Sequence, residues 1–298
     1  MGLRRVIVRN LGVYYMIIAC LMFAVTGSLA KFVSKDLPSI EVVFFRNLIG
    51  LIIVIFTAIK LSKKIKGGAF WLLMFRGFIG SVALFAFFYN IAHINLAAAF
   101  TFSKTSTIWI ALIAAIWLKE RLSSLGWFAV FLGFGGIILI IQPNIGISKS
   151  DLLGVFSGLG AALAYTSARE LSRHYPPNII VLSFMAWGSV LPLVCMGAAE
   201  FISVDGFDFL FSKFVPPSLF SIAILLLVGI FGYLFQIYMT KSYAVSKKAG
   251  TVATVSYSDV IFTIIIGYFM GDGLPNAMAF FGIMLVILSG ILVLKDKK

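Results

Sequence analysis

The sequence predicts an all-helical integral membrane protein whose ten transmembrane helices form two inverted five-helix repeats. Three observations carry this reading: a membrane protein's composition, apolar runs of span length with basic residues segregated to one side, and internal similarity between the two halves. Of 298 residues, 61% are hydrophobic and 12% charged, against about 45–50% and about 25% in a soluble domain. A net charge of +13 would suit a nucleic-acid binder in a soluble chain. Here the bases lie in short clusters between apolar runs, with no basic stripe or stacking platform, so nucleic acid is not an expected partner.

Crossing about 30 Å of hydrocarbon takes about 20 helical residues. The runs that meet this length are 11–33, 39–60, 69–91, 96–118, 124–142, 152–171, 178–199, 217–240, 249–270 and 276–294. The first follows MGLRRVIVRN and is read as a retained span, since it is too long for a signal-peptide core and lacks a cleavage site. Short connectors make the third, fourth and fifth spans antiparallel neighbours. Pro192 falls well inside the seventh span, where it is expected to kink the helix. Tyr14, Tyr15, Trp71 and Trp127 fall near span ends and fit an aromatic belt. Cys20 and Cys195 lie in apolar runs at no metal-ligand spacing and read as packing residues.

The basic residues set the orientation. With a cytoplasmic N-terminus, seventeen Lys and Arg, in clusters at 4–9, 60–66, 119–121, 169–173, 241–248 and 295–298, face the cytoplasm. The other side keeps Lys35, Lys149 and Lys213. This asymmetry predicts a multi-pass protein of the inner (cytoplasmic) membrane with both termini cytoplasmic, and it accounts for the positive net charge.

The halves resemble each other. KFVSKDLP (31–38) aligns with RELSRHYP (169–176), and STIWIALIAAIWLKE (106–120) with SDVIFTIIIGYFMGD (258–272). Repeats of five spans, 1–145 and 146–298, must insert with opposite orientation because five is odd. Inverted repeats enclosing a midplane site are the mark of secondary transporters. A membrane scaffold or intramembrane enzyme without transport is the alternative.

The stretches FFRNLIG (44–50), FRGFIGSVALFAFFYNIAHINLAAAFTFS (75–103), IALIAAIWLKERLS (110–123) and SYSDVIFTIIIGYFMGD (256–272), with GIMLVILSGILVL after them, resemble EamA-type carriers of the drug/metabolite transporter superfamily. PSIEVVFFR is most similar to a branch that includes bacterial S-adenosylmethionine carriers. The resemblance implies alternating access and a small-molecule substrate, without naming the ligand. Glu120 and Arg121 match the family's Gly-Glu-Arg corner, with Lys119 in place of Gly, and read as structural.

Four ionisable side chains fall within the spans rather than near loops. Arg46 lies about seven residues, roughly 10 Å, inside the second span. Snorkelling would suffice from that depth, but the FR pattern and the apolar counterpart near Phe184 favour a guanidinium that faces the cavity and holds an anionic group. Arg76, followed by Gly77 and Gly80, reads as snorkelling to the inner face. Lys104 sits among Ser103, Thr105, Ser106 and Thr107, a polar density wasteful against lipid. The repeat alignment sets Lys104 opposite Ser256 and Thr107 opposite Asp259, so Lys104 and Asp259 occupy similar depths and are expected to pair. A coupling role and a purely structural pair are both open.

Asn47, Asn90, Tyr165, Tyr233 and Gln236 complete the polar candidates, with Trp109 and Tyr257 expected to stack on a planar substrate. The cavity is expected between spans two, three, four, seven, eight and nine. No phosphate-binding GxxxxGK[ST] loop, HExxH or Cys/His cluster occurs, so neither ATP, a metal nor another cofactor is expected, nor an enzyme. The predicted function is secondary transport of a small polar metabolite such as an amino acid, an S-adenosylmethionine-like compound or another planar or zwitterionic molecule. Arg46, Lys104, Trp109, Tyr257, Asp259, Asn90, Tyr233 and Gln236 would bind it, with protons or a counter-substrate as coupling partners.

Overall fold

The computed structural model describes residues 11–59, 67–116, 123–141, 147–202, 206–246 and 255–296. These form helices α1 (Leu11–Val33), α2 (Ser39–Ile59), α3 (Phe70–His93), α4 (Leu96–Lys104), α5 (Ser106–Ile116), α6 (Ser124–Ile141), α7 (Lys149–Leu171), α8 (Pro177–Ala199), α9 (Leu219–Val245), α10 (Ser258–Phe269) and α11 (Ala277–Asp296). No strand occurs among the described residues. Six helices, α1, α2, α3, α6, α8 and α9, are long and apolar enough to cross a membrane. α10 and most of α11 are shorter apolar helices. Helices meet what a bilayer demands, because lipid offers no partner for backbone N–H and C=O groups and a helix pairs them within one segment.

Helix ends follow local chemistry. Ser148 caps α7 in a capping box with Asp151, so this helix starts three residues before the expected span. Ser218 caps α9 through the N–H of Ser221, and Asn95 caps α4 through that of Ala97. Pro177 occupies the first turn of α8, and that helix is unbroken through Pro192.

The expected fourth span is not one helix. α4 ends at Lys104 and α5 begins at Ser106, with Thr105 between them. Hydroxyls compete for the carbonyls here: Thr105 Oγ1 donates to Phe102 O at 2.6 Å and Thr107 Oγ1 to Lys104 O at 3.2 Å. A Cβ at Gly158 of α7 would collide with Thr105 Oγ1, so this glycine lets the break seat against α7. The ninth span is described from residue 255, and α10 begins only at Ser258 after a turn at residues 256 and 257. Ser106 and Ser258 are aligned in the repeat, so the backbone is interrupted at matching places.

Packing follows an exchange of halves. α1 packs on α9 as α3 packs on α7, α2 on α9 as α3 on α8, and α1 on α10 as α4 and α5 on α7. The contacts α2 with α8, α6 with α11, and α4 with α10 map onto themselves. At the α6–α11 contact a Cβ at Gly136 would lie 2.8 Å from Gly282 O, and one at Gly282 would lie 2.7 Å from Gly136 O. Phe56, Trp71, Phe131 and Leu219 are among the large apolar side chains left exposed on the outside, as in a chain whose solvent is lipid. Gly154 and Gly158 face Phe102 and Thr105 of the same chain. The corner residues Glu120 and Arg121 lie outside the described residues.

Gly136→Val forces a side chain against the α11 backbone and is expected to lower stability by about 1–3 kcal/mol. Gly135→Ala, where nothing lies within 4 Å, is expected to have little effect. Thermal unfolding of the two detergent-solubilised variants checks the contrast.

Candidate functional site

The site begins with the two helix interruptions. Lys104 is the last residue of α4 and Asp259 lies in the first turn of α10. A helix C-terminus favours a cation and an N-terminus an anion, so each break presents the charge its dipole prefers. The structure brings the two together, with Lys104 Nζ 2.7 Å from Asp259 Oδ2. Asp259 is fully buried and Lys104 nearly so. Beyond Lys104, neither Asp259 oxygen has a hydrogen-bond partner among the described residues. Cys20 Sγ packs under the turn that leads into α10, 3.5 Å from Ser256 O.

Beside this pair lies a small cavity of about 40 Å³, room for a few waters in this state of the protein. Its polar lining is Arg76, Ser103, Ser157, Tyr165 and Gln236. Phe23, Phe87, Phe184 and Phe235 supply aromatic walls, and Gly80, Ala83, Leu84, Ala161 and Ala164 the remainder. Phe23 stacks on Phe235 with centroids 4.0 Å apart and on Phe87 at 5.2 Å. The walls therefore come from α1, α3, α4, α7, α8 and α9. The expected second and ninth spans are replaced by the first and sixth: small residues draw α7 against α3, where Gly160 meets Ala83, while α2 packs behind, its Asn47 on Gly188 and its Ile49 on Gly229.

Arg76 corrects the snorkelling expectation. It is 1% exposed, donates from Nη2 to Gln236 Oε1 at 3.4 Å, and lies over the Phe184 ring at 4.6 Å. A Cβ at Gly80 would come within 2.5 Å of Arg76 Nη1, so the glycine one turn along opens the space into which the guanidinium folds. That Arg-xxx-Gly spacing was the signal available in the sequence. Arg46 is also fully buried. It donates to Asn47 Oδ1 at 2.9 Å and Gly232 O at 3.4 Å, and faces Phe184 from 5.8 Å, behind the cavity wall.

The other candidates divide. Gln236 and Tyr165 line the cavity. Tyr257 does not: it bonds the Thr107 hydroxyl and fills the space over Gly290, where a Cβ would collide with it. Trp109 packs edge-on against Phe134 at 5.5 Å. Both rings are thus engaged in packing, and the phenylalanines form the planar walls instead. Asn90 ties α3 to the start of α7 through Ser150 O at 2.9 Å, and Tyr233 meets Thr57 Oγ1 at 3.2 Å. Among the described residues no group of three or more His, Cys, Asp or Glu could hold a metal ion.

One end of the bundle is cross-linked by polar contacts. Lys31 at the end of α1 pairs with Asp272 beyond α10 and donates to Ile94 O at 2.7 Å. Asp272 Oδ2 accepts from the Leu96 N–H at 2.6 Å. Asn95 Nδ2 donates to Asp272 O and Gly273 O, both at 3.2 Å. Glu41 accepts from the Val215 N–H at 3.0 Å, and Lys149 pairs with Asp208.

Residues 10–142 match the model of the EamA-like transporter family. An uncharacterized transporter of Helicobacter pylori is 31% identical over 289 residues, covering 95% of this chain and 94% of its own length. The chain belongs to the EamA-like transporter family. A pseudopaline exporter of Pseudomonas aeruginosa is 27% identical, covering 96% of this chain and 97% of the exporter. An S-adenosylmethionine uptake transporter of Rickettsia bellii is 18% identical, with 97% and 95% covered. This EamA-like protein is accordingly a multi-pass membrane transporter of small molecules rather than an enzyme. Inverted repeats and alternating access are general features of its family.

Removing Lys104 alone strands the Asp259 carboxylate in the bundle. Lys104→Met is expected to cost about 3–5 kcal/mol, while Lys104→Met with Asp259→Leu recovers most of the loss. Thermal unfolding of the single and double variants measures this.

Proposed function

We propose that this transporter is a secondary carrier that moves a small polar, planar or zwitterionic metabolite across the cell's inner membrane by alternating access. The observation that carries the reading is the pair of matched helix interruptions, one contributing Lys104 and the other Asp259, beside a small cavity lined by both halves. Interrupted helices at midplane depth are how secondary transporters expose charge and backbone to a cargo. The exchange of contacts between halves supports repeats of 1–145 and 146–298 that rock against each other. The segregation of Lys and Arg supports cytoplasmic termini.

Within this scheme the Lys31–Asp272 cluster is the closed outer mouth. Arg169, aligned with Lys31, is exposed and has no ion pair among the described residues. Asp259 neutralises Lys104 in the empty carrier, and a proton or a counter-substrate that takes the place of either group couples the cycle. The relatives transport in different directions, pseudopaline outward and S-adenosylmethionine inward by their names, so the shared architecture is compatible with either.

Purified protein in liposomes is expected to show saturable flux of at least one compound from a labelled metabolite pool, and none across a broad pool overturns the reading. Asp272→Asn is expected to loosen the outer mouth. In a Cys20→Ala, Cys195→Ala background, labelling of Ser103→Cys by an impermeant maleimide from that side should then rise. Unchanged labelling counts against the mouth assignment.

A further inference from the structure

We propose that the cargo is an organic anion with an aromatic body, and that Arg76 grips its anionic group; this rests on the carrier reading and narrows it. The argument starts from charge. A guanidinium taken out of water is costly unless its charge and its N–H groups are matched. Arg76 is matched in neither respect. Among the described residues its Nε and Nη1 have no hydrogen-bond partner, and its one bond is a 3.4 Å contact with the neutral amide of Gln236.

No carboxylate among the described residues relieves it. Among the described residues, Asp259 is paired with Lys104, Asp272 with Lys31 and Asp208 with Lys149. Glu41 is bound to the Val215 N–H, and no ion pair reaches Arg46 or Arg76. Two buried guanidiniums therefore share one phenyl ring, Phe184, without an anion. Arg46 has three polar directions, of which Asn47 and Gly232 fill two. Arg76 lines the cavity with its Nη1 folded against Gly80, and a cargo reaches its unpartnered N–H groups as the helices move apart in the transport cycle.

A carboxylate is the group that satisfies such a fork, by two parallel charge-assisted hydrogen bonds. The rest of the cavity specifies the body attached to it. Phe23, Phe87 and Phe235 form a stacked aromatic wall, which favours a flat ring in offset or edge contact. The Ser103, Ser157 and Tyr165 hydroxyls serve a neutral polar substituent. A cationic cargo would meet unpaired positive charge with no free acid on the cavity lining to offset it. Lys104 does not compete for the anion, because Asp259 already neutralises it.

The test uses full-length purified protein and four probes: phenylacetate and phenylpyruvate as aryl anions, phenylethylamine as the matched cation, and S-adenosylmethionine. Thermal stabilisation reports binding to the folded state. The aryl anions are expected to stabilise the protein and the two cationic probes not to. Arg76→Gln is expected to weaken anion binding by about thirtyfold or more, and Arg76→Lys to restore it only in part, since a lysine lacks the planar fork.

Empty Arg76→Gln protein is expected to melt at or above the temperature of the parent, because an unmatched buried charge is gone. A merely structural arginine would give the opposite sign. Preferential binding of either cationic probe, failure of both aryl anions to bind, or anion affinity unchanged in Arg76→Gln each overturns the proposal. These outcomes leave the carrier reading standing if the metabolite pool shows saturable flux, so the two fail separately.

Discussion

In a bilayer each backbone amide must find its partner within the protein, and the same medium penalises every unpaired charge. The Lys104–Asp259 pair is where these demands meet. The chain interrupts its helices at Thr105 and just before Ser258, and each interruption exposes a helix end whose dipole calls for the charge placed there. Because the two charges compensate each other at 2.7 Å, the breaks sit against α7 and α1 in the middle of the bundle. The cavity lies beside them, and the glycines that seat the break and admit Arg76 keep its walls close.

The cavity's character comes from what is compensated and what is not. Lys104, Lys31 and Lys149 all have acids, and those acids hold either the core or one mouth of the bundle. Arg46 and Arg76 have none among the described residues. A protein tolerates such groups when a ligand completes them, at some cost to the stability of the empty form. Phenylalanine rather than tyrosine or tryptophan forms most of the aromatic lining, so polar recognition is concentrated on a few groups of one face.

Much of this was legible in the residues, and the limits have a common cause. Span positions follow from apolar runs because crossing the membrane fixes their length. The depth match of Lys104 with Asp259 follows from aligning two copies of one design. Arg76 was misplaced because depth alone does not distinguish a side chain that runs outward to the headgroups from one that folds over a glycine on its own helix. The same limit applies to Tyr257 and Trp109, which pack against Thr107 and Phe134 and not on the cavity. A membrane helix is apolar nearly all the way round, so its periodicity does not tell which face meets lipid, neighbour or cavity.

The residues alone establish the membrane class, the order of the apolar segments, the family and the matching positions of Lys104 and Asp259 in the two halves. Those are properties of composition, length and repetition, each read along a single line of chain. The three-dimensional packing is what breaks span four at Thr105 and brings the first and sixth spans to the cavity in place of the second and ninth. It also sets four phenylalanines as the aromatic walls and buries Arg76 with no acid beside it among the described residues. Each of these depends on the rotation of a helix about its axis, which is set by close contacts with neighbours: Gly158 under Thr105, Gly160 against Ala83, Gly290 beneath Tyr257.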